Sequence, residues 1–489
     1  MAGSAGIRPH VVVVGGGIAG LAASHRLVQS ANGLPVDVTL VEASPRLGGK
    51  LLTVDLDGVL IEAGADSFVV RKPWAVDLCK ELGLGGELIV PAASGAYVWA
   101  RGRLIRYPEQ SAFGIAASSL DILRWPGLSI RGRLRAATEF LHRVRHVDED
   151  ESIGSMISRR MGAEAERVLV GPLLAGLHAG DPFRLSVRAT FPELVRWEQG
   201  RDSLMRGARL AVKAARSEAA SREGMARPGR VVERATVFAT VWGGLSRLVD
   251  SLESAIGTAR VQLEKSVRAI RATGRGFVAE TSTEALAADA VVLATPAFES
   301  ARLLAGVNPG AASILAGIPY ASTAVVLLAY PPGTARDLPE GTGFVVPPGK
   351  EVITAGTWVS RKWPQESTGD RAIVRCFVGR FGDERGLDLG DEELIKTAHD
   401  EVARMVPLSA SPAAARVIRW ERSMPQYEVG HLDRLSNLDG SLSDTPGIFL
   451  TGSAYRGIGI ADCVRQGSEA AAAVRDFLRE RVQAAGATR

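Results

Sequence analysis

His10-Val11-Val12-Val13-Val14-Gly15-Gly16-Gly17-Ile18-Ala19-Gly20 is the stretch that decides how this chain folds. The run Val11 to Val14 reads as a strand buried on both faces. It passes directly into the glycines and then into Leu21-Ala22-Ala23-Ser24-His25-Arg26-Leu27, which has a helical pattern. A second apolar run, Val36 to Val41, ends in Glu42, about 20 residues beyond the last glycine. Strand, glycines, helix, strand and acid in this order form a dinucleotide-binding unit. Gly15 allows the tight turn, Gly17 lets backbone approach a pyrophosphate, and Gly20 lets helix and strand pack closely. The amides of Gly16, Ile18 and Ala19 lie where the positive end of the helix meets the phosphates. Glu42 suits a ribose hydroxyl and disfavours a 2′-phosphate.

The residues after the acid narrow the nucleotide. Glu42-Ala43-Ser44-Pro45-Arg46-Leu47-Gly48-Gly49-Lys50 resembles the Glu-Ala-x-x-Arg-x-Gly-Gly extension of flavoproteins such as amine oxidases and porphyrinogen oxidases. That resemblance implies FAD rather than NAD, with Ala43, Arg46, Gly49 and Lys50 close to it.

A chain of 489 residues is too long for one compact core and suggests two or three domains. Hydrophobic residues, 46% of the total, suffice to fill them, and a formal net charge of +4 is small for this length. The basic residues form no long run, which argues against nucleic acid as a partner. Cys79, Cys376 and Cys463 are far apart, lack metal-ligand spacing, and read as buried thiols in a reducing compartment. Met1 to Pro9 lacks the apolar core of a signal peptide, and no stretch reaches the roughly 18 apolar residues of a membrane span. The expectation is a cytoplasmic protein with at most peripheral membrane contact and no bound metal.

The predicted fold class is α/β. A Rossmann-like FAD domain is assembled from three segments, 1–89, 236–298 and 445–489. The first segment continues through Gly64-Ala65-Asp66-Ser67-Phe68, a small-residue loop able to come near the cofactor. The middle one has a helix behind Gly243-Gly244, short strands at Val261 and Val267, and a buried strand Ala290 to Leu293. The last has a strand Gly447 to Leu450, the approach Gly457-Ile458-Gly459-Ile460, and an Ala-rich helix whose N-terminus would point at the same ligand. Segment 90–235 is predicted helical, beginning with a hairpin around Gly102. Within it Arg131 to Arg145 reads as a solvated basic helix face, and Ser217 to Arg234 as an exposed linker. Segment 299–444 mixes strands with one helix, Asp391 to Val406, as an α+β substrate-binding domain.

Further motifs resemble one family along nearly the whole chain. Gly64 to Lys72, Ser94-Gly95-Ala96-Tyr97-Val98, Ala175-Gly176-Leu177-His178-Ala179-Gly180-Asp181, Leu185 to Glu193, Met424-Pro425-Gln426-Tyr427 and Gly457 to Cys463 are similar to protoporphyrinogen and coproporphyrinogen oxidases. Ser94 to Val98 resembles the Gram-positive-type, coproporphyrinogen III-oxidising branch. Eukaryotic-type protoporphyrinogen oxidases carry an arginine where Ala96 stands, so no propionate ion pair can form from this position. The resemblance implies oxygen-dependent oxidation of a porphyrinogen in haem biosynthesis, with hydrogen peroxide formed. It also implies a transient contact with the next haem-pathway enzyme, and places Val267 near the adenine.

No Ser-His-Asp set, Cys-His pair or metal cluster stands in a credible context, so the cofactor carries the hard step. Gly176 is a candidate for close backbone approach to the macrocycle. His178 reads as structural rather than as a base. Arg71 and Lys72 could face propionates or be ordinary surface charge, and Trp420 could touch the flavin or pack in the core. An amine oxidase or a carotenoid desaturase would share the FAD core with a different middle section. A flavin-binding scaffold without turnover is the alternative outside enzymes.

Overall fold

The computed structural model describes residues 8–29, 34–142, 144, 149–223, 237–257, 259–363, 369–408 and 410–487. The N-terminal valines form strand β1 (His10–Val14), with Val11 to Val13 fully buried. β1 lies at the centre of a five-stranded parallel sheet, between β2 (Asp37–Val41) and Ala290–Leu293. Arg260–Gln262 and Ile448–Leu450 complete its edges. The sheet therefore draws strands from the beginning, middle and end of the chain. Continuous apolar strands are what a parallel sheet covered on both faces requires.

Helix α1 (Ile18–Val28) covers one face and packs along the long C-terminal helix α2 (Ile460–Ala487). Their close approach needs Gly467, where a Cβ would lie 2.4 Å from the Ala19 carbonyl oxygen. Beside this sheet, Val267–Thr273, Gly276–Thr281 and Ala285–Ala288 form an antiparallel meander.

A seven-stranded second sheet is built mostly from the 299–444 segment, with Tyr320–Ala329 and Ala414–Pro425 as its longest strands. The hairpin Tyr97–Ala100 and Arg103–Arg106, expected to open the helical segment, instead forms the far edge of this sheet. Tyr97 and Val98 pair in parallel with Phe344 and Val345. A pairing across nearly 250 positions leaves no trace in local sequence pattern, so the local pattern alone places the hairpin with the helices that follow it.

The helical segment follows. Helix Leu204–Glu223 runs through residues 217–223, which were expected to be linker. That region is rich in Ala, Glu and Arg, all good helix formers, and residues 224–234 of the expected linker lie outside the described set. The basic stretch is helical over Ile130–Ala137 and has a single turn at Glu139–Leu141, while 143 and 145 are not described. Its charge is not simply solvated. Arg133 donates to Leu128 O at 3.0 Å, and Arg135 donates to the carbonyls of Arg160 and Arg159 at 2.8 and 2.6 Å. The last two bonds cap a helix C-terminus, Ile153–Met161. The segment's core includes one fully buried ion pair, Arg160 with Glu139, whose remaining polar atoms are met by His142 O, Asp202 O, Ser203 Oγ and Leu204 N. Such completeness is what makes a buried pair tolerable.

Among the described residues no helix is long and apolar enough to cross a membrane. The expectation for Met1 to Pro9 falls almost wholly outside those residues.

Candidate functional site

Three glycines of the opening loop have different surroundings. A Cβ on Gly15 would lie 2.9 Å from Ala294 O, and Gly15 adopts φ +103°, which side chains resist. A Cβ on Gly20 would lie 1.9 Å from Gly15 O. Both are therefore required by the fold itself. A Cβ on Gly17 would meet nothing within 4 Å, and its φ of −68° is ordinary. The protein has no packing need for glycine there, and the space stands at the N-terminus of α1, whose first amides have no helical partner. The loop thus fits a diphosphate.

A second glycine loop closes on the first. Gly48 N donates to Gly16 O at 2.8 Å, and a Cβ on Gly49 would lie 3.2 Å from Gly17 Cα. Arg46 shapes this loop through bonds to the carbonyls of Leu47, Gly49 and Leu51, at 3.0, 2.5 and 3.1 Å. Glu42 accepts from Gly16 N at 2.6 Å and from Ser44 N at 2.8 Å, and Ala43 beside it is exposed. The chain at 264–265 is zipped to this acid, since Glu264 N and Lys265 N donate to Ser44 O and Glu42 O. Val267 follows, buried, with its carbonyl held by Arg302 at 2.9 Å. Lys50 donates from Nζ to Ser423 O and, at 3.4 Å, to Ser453 Oγ. Loss of hydration lowers the pKa of this ammonium to about 8.

The loop Gly64 to Ser67 is pinned from behind by charges that sequence reading did not anticipate. Asp66 pairs with Lys362 at 2.7 Å and Arg375 at 3.3 Å, and Ser67 donates to it at 2.8 Å. Those cations hold the Asp66 carboxyl well below the usual range despite its desolvation. Arg375 also reaches Glu62 O and Gly64 O, at 3.2 and 3.4 Å. Trp420 donates from Nε1 to Ala63 O at 2.9 Å, and a Cβ on Gly64 would lie 3.5 Å from its ring, so this indole packs on the loop. A Cβ on Gly64 would also lie 1.9 Å from Lys50 O. Lys362 and Arg375 come from remote segments without a motif, and no local signal could have found them.

The C-terminal approach brings α2's free N-terminal amides to the same region. Gly457 has φ +120°, its N donates to Tyr427 Oη at 3.0 Å, and Tyr427 in turn donates to Ser453 O at 2.7 Å. Ile458 and Gly459 lead into the helix at Ile460, leaving Gly459 exposed. Lys72 does not stand open as an anion receptor, because it grips Asp462 in the first turn of α2 at 2.6 and 2.8 Å. Arg71 beside it is exposed.

In the Ala175 to Asp181 motif Gly176 is exposed at a helix end, and a Cβ there would meet nothing within 4 Å. His178 is buried between the rings of Phe191 and Tyr427, at 5.9 and 5.8 Å, and Tyr427 stacks on His431 at 4.1 Å. Burial drops the pKa of both imidazoles to about 4, so His178 is a weak base in a packing role. Upstream, one π-helical turn, Glu166–Val170, encloses Glu166, whose carboxyl burial raises to about 7. The three cysteines are buried free thiols. Among the described residues no His, Cys, Asp or Glu group could hold a metal.

A parallel sheet bearing a glycine loop, a second glycine approach and the N-terminus of a C-terminal helix define a nucleotide-dependent oxidoreductase core. The flavin containing amine oxidoreductase family matches residues 18–475, and the chain belongs to that family. Its cofactor is accordingly a flavin. More specifically, the chain is 35% identical to a coproporphyrinogen III oxidase of Bacillus subtilis over 96% of its own length and 98% of the relative's. It is 32% identical to the coproporphyrinogen III oxidase of Propionibacterium freudenreichii, over 96% and 91%. A solved structure from Exiguobacterium, provisionally named a protoporphyrinogen oxidase, superposes with a TM-score of 0.83 at 30% identity, covering 96% and 98%. Cyclohexylamine oxidase of Brevibacterium oxydans, at 17% identity and a TM-score of 0.68 over 96% and 100%, shares the fold.

Proposed function

We propose that this protein binds FAD and oxidises coproporphyrinogen III to coproporphyrin III in haem biosynthesis, with oxygen as final acceptor. The observation that carries this reading is end-to-end similarity to coproporphyrinogen III oxidases combined with the open space at Gly17. Removing six electrons and six protons from the macrocycle takes three two-electron steps, with three molecules of oxygen reduced to hydrogen peroxide. A bound flavin supplies the hydride acceptor. The chain's own residues bind, orient and exclude water.

Gly15 to Gly20 would hold the diphosphate, and Glu42 a ribose hydroxyl through its remaining lone pairs. Ala43, Arg46 and Gly49 would frame the second side, with Val267 near the adenine. Gly64 to Ser67, Trp420, Lys50 and Ile458 to Ile460 would surround the isoalloxazine end. Gly176, exposed at a helix end, would bring to the macrocycle a backbone carbonyl that already accepts from Ala179 N at 3.2 Å and has a second lone pair for a pyrrole N–H.

Ala96 is half-buried where the second sheet meets the helical segment. Without an arginine there, a tetracarboxylate can keep its extra propionates hydrated, which avoids the several kcal/mol that burying an unpaired one costs. Anaerobic addition of coproporphyrinogen III to the purified yellow protein should bleach the flavin, with a higher kcat/KM than for protoporphyrinogen IX. Failure to bleach would overturn the enzymatic reading, and a preference for protoporphyrinogen IX the choice of substrate. Ala96→Arg should narrow the preference.

Arg71 is exposed, so its contact with a propionate is worth about 0.2–1 kcal/mol. Arg71→Ala should therefore raise KM for the tetracarboxylate by at most about fivefold, with kcat and the flavin spectrum unchanged. An unaltered KM would return Arg71 to the solvated surface. Partners follow from the chemistry: a porphyrinogen, oxygen and, in transit, the haem-pathway enzyme that takes the product. A cytoplasmic setting suits all three.

A further inference from the structure

Behind the loop 63–67 lies a small cavity, with about 10 Å³ open to the centre of a water molecule. It is lined by Glu62, Asp66, Thr240, Val359, Trp363 and Arg375. Four of these residues carry a buried polar atom that no group among the described residues meets: Glu62 Oε2, Thr240 Oγ1, Trp363 Nε1 and Arg375 Nε. All four residues are more than nine-tenths buried, at 8%, 2%, 3% and 4% exposure. Buried polar atoms are normally met by a protein group or an ordered water, and here four unmet ones line a single cavity.

Their chemistry defines the ligand. Arg375 Nε and Trp363 Nε1 can only donate, Glu62 Oε2 can accept, and the Thr240 hydroxyl can do either. Two donors and two acceptors around a space of about 10 Å³, at the lower bound of the roughly 10–15 Å³ that a water needs, fit one water molecule and nothing larger. An anion would meet the Glu62 carboxylate, and a cation would meet the guanidinium of Arg375. We propose that Glu62, Thr240, Trp363 and Arg375 form a binding site for a single internal water that fixes the loop 63–67 in place, making these four positioning residues for that loop.

The loop's part in holding flavin rests on the function proposed above; the water site does not. Arg375 already reaches Glu62 O, Gly64 O and Asp66, while Glu62 Oε1 takes Leu245 N at 2.6 Å and Thr53 Oγ1 at 3.2 Å. The water closes the remaining gap between the Glu62 carboxylate and the guanidinium. It thereby ties the segment 62–66 to Thr240 on the strand Phe238–Val241 and to Arg375 on Ile373–Val378.

A crystal structure of the flavin-loaded protein at high resolution is the first test. A full-occupancy peak within hydrogen-bond distance of all four atoms supports the site. An empty cavity, an ion, or a side chain turned in to fill it overturns the proposal. Amide hydrogen exchange tests the positioning role. Thr240→Val keeps the shape and removes one partner, and should speed exchange across 63–67 by about tenfold, the equivalent of about 1.4 kcal/mol. Trp363→Phe should do the same and serves if the first variant fails to fold. Unchanged exchange in a folded variant would overturn the positioning role. A colourless protein that retains the water peak would instead overturn the flavin reading and leave the water site standing.

Discussion

Gly17→Val is expected to yield folded protein that binds its flavin markedly more weakly. The structure separates these two outcomes. Gly15 and Gly20 are pressed against backbone at 2.9 and 1.9 Å from a modest side chain, whereas the same atom on Gly17 projects into open space. Its φ of −68° and ψ of 174° are extended values that valine accepts readily. Helix α1 loses nothing, because Gly17 makes no side-chain cap. The added isopropyl group would stand where a diphosphate must approach the amides of α1. Forcing extra methyl groups into a fitted contact costs about 1–3 kcal/mol, so affinity should fall about fivefold to more than a hundredfold. Absorbance after purification and titration with FAD measure this, while far-ultraviolet circular dichroism checks the fold. Flavin bound as tightly as in the parent would remove the loop from the cofactor site. Gly20→Val, by contrast, should fail to fold.

The contrast between those glycines shows what the sequence could and could not disclose. The parallel sheet was legible because Val11 to Val14 and Ala290 to Leu293 are unbroken apolar runs, and Val36 to Val41 is one interrupted only by Asp37 and Thr39, close to the pattern a doubly covered strand needs. The glycine loops were legible because glycine spacing is a local constraint. Charges behind the loop 63–67 were not. Asp66 stood in a recognisable motif, but its partners Lys362 and Arg375 are about 300 positions away and neutralise it only once both sheets are assembled. Lys72 shows the same limit: beside a glycine-rich loop it suggested an open cation, and only the fold brings Asp462 to it. The Tyr97–Arg106 hairpin failed for this reason too, since its partner strand begins at Gly343. The 217–223 stretch differs for a local reason: its Ala, Glu and Arg residues suit an exposed linker and a helix alike, and the helix from Leu204 continues through them.

His178 and His431 should make the fold acid-sensitive, and the sign can be worked through. Both imidazoles titrate near 4 in the folded chain against 6.5 when free, chiefly because burial disfavours the charged ring. Between those limits the unfolded chain binds protons that the native chain refuses, so stability falls as pH drops from about 6.5 to about 4. Glu62 and Glu166 act oppositely. Burial raises each to about 7 from 4.5, so they favour the native chain below about 4.5 and that contribution is lost as pH climbs to about 7. The two pairs therefore act against each other through the mildly acidic range, and the glutamates mask part of the histidine slope. One histidine must be removed to reveal the slope. His178→Phe is the cleaner choice: His178 Nδ1 has no partner among the described residues and the ring sits between Phe191 and Tyr427, whereas His431 Nε2 is bonded to Tyr455 O at 3.0 Å. Between about pH 7.5 and about pH 5 the variant should gain about 2 kcal/mol relative to the parent, the worth of about 1.5 pK units. Urea denaturation of both proteins at the two pH values measures that double difference. A value near zero would mean that His178 keeps its proton in the folded chain, and its place between the two aromatic rings would then have to accommodate a charged imidazolium.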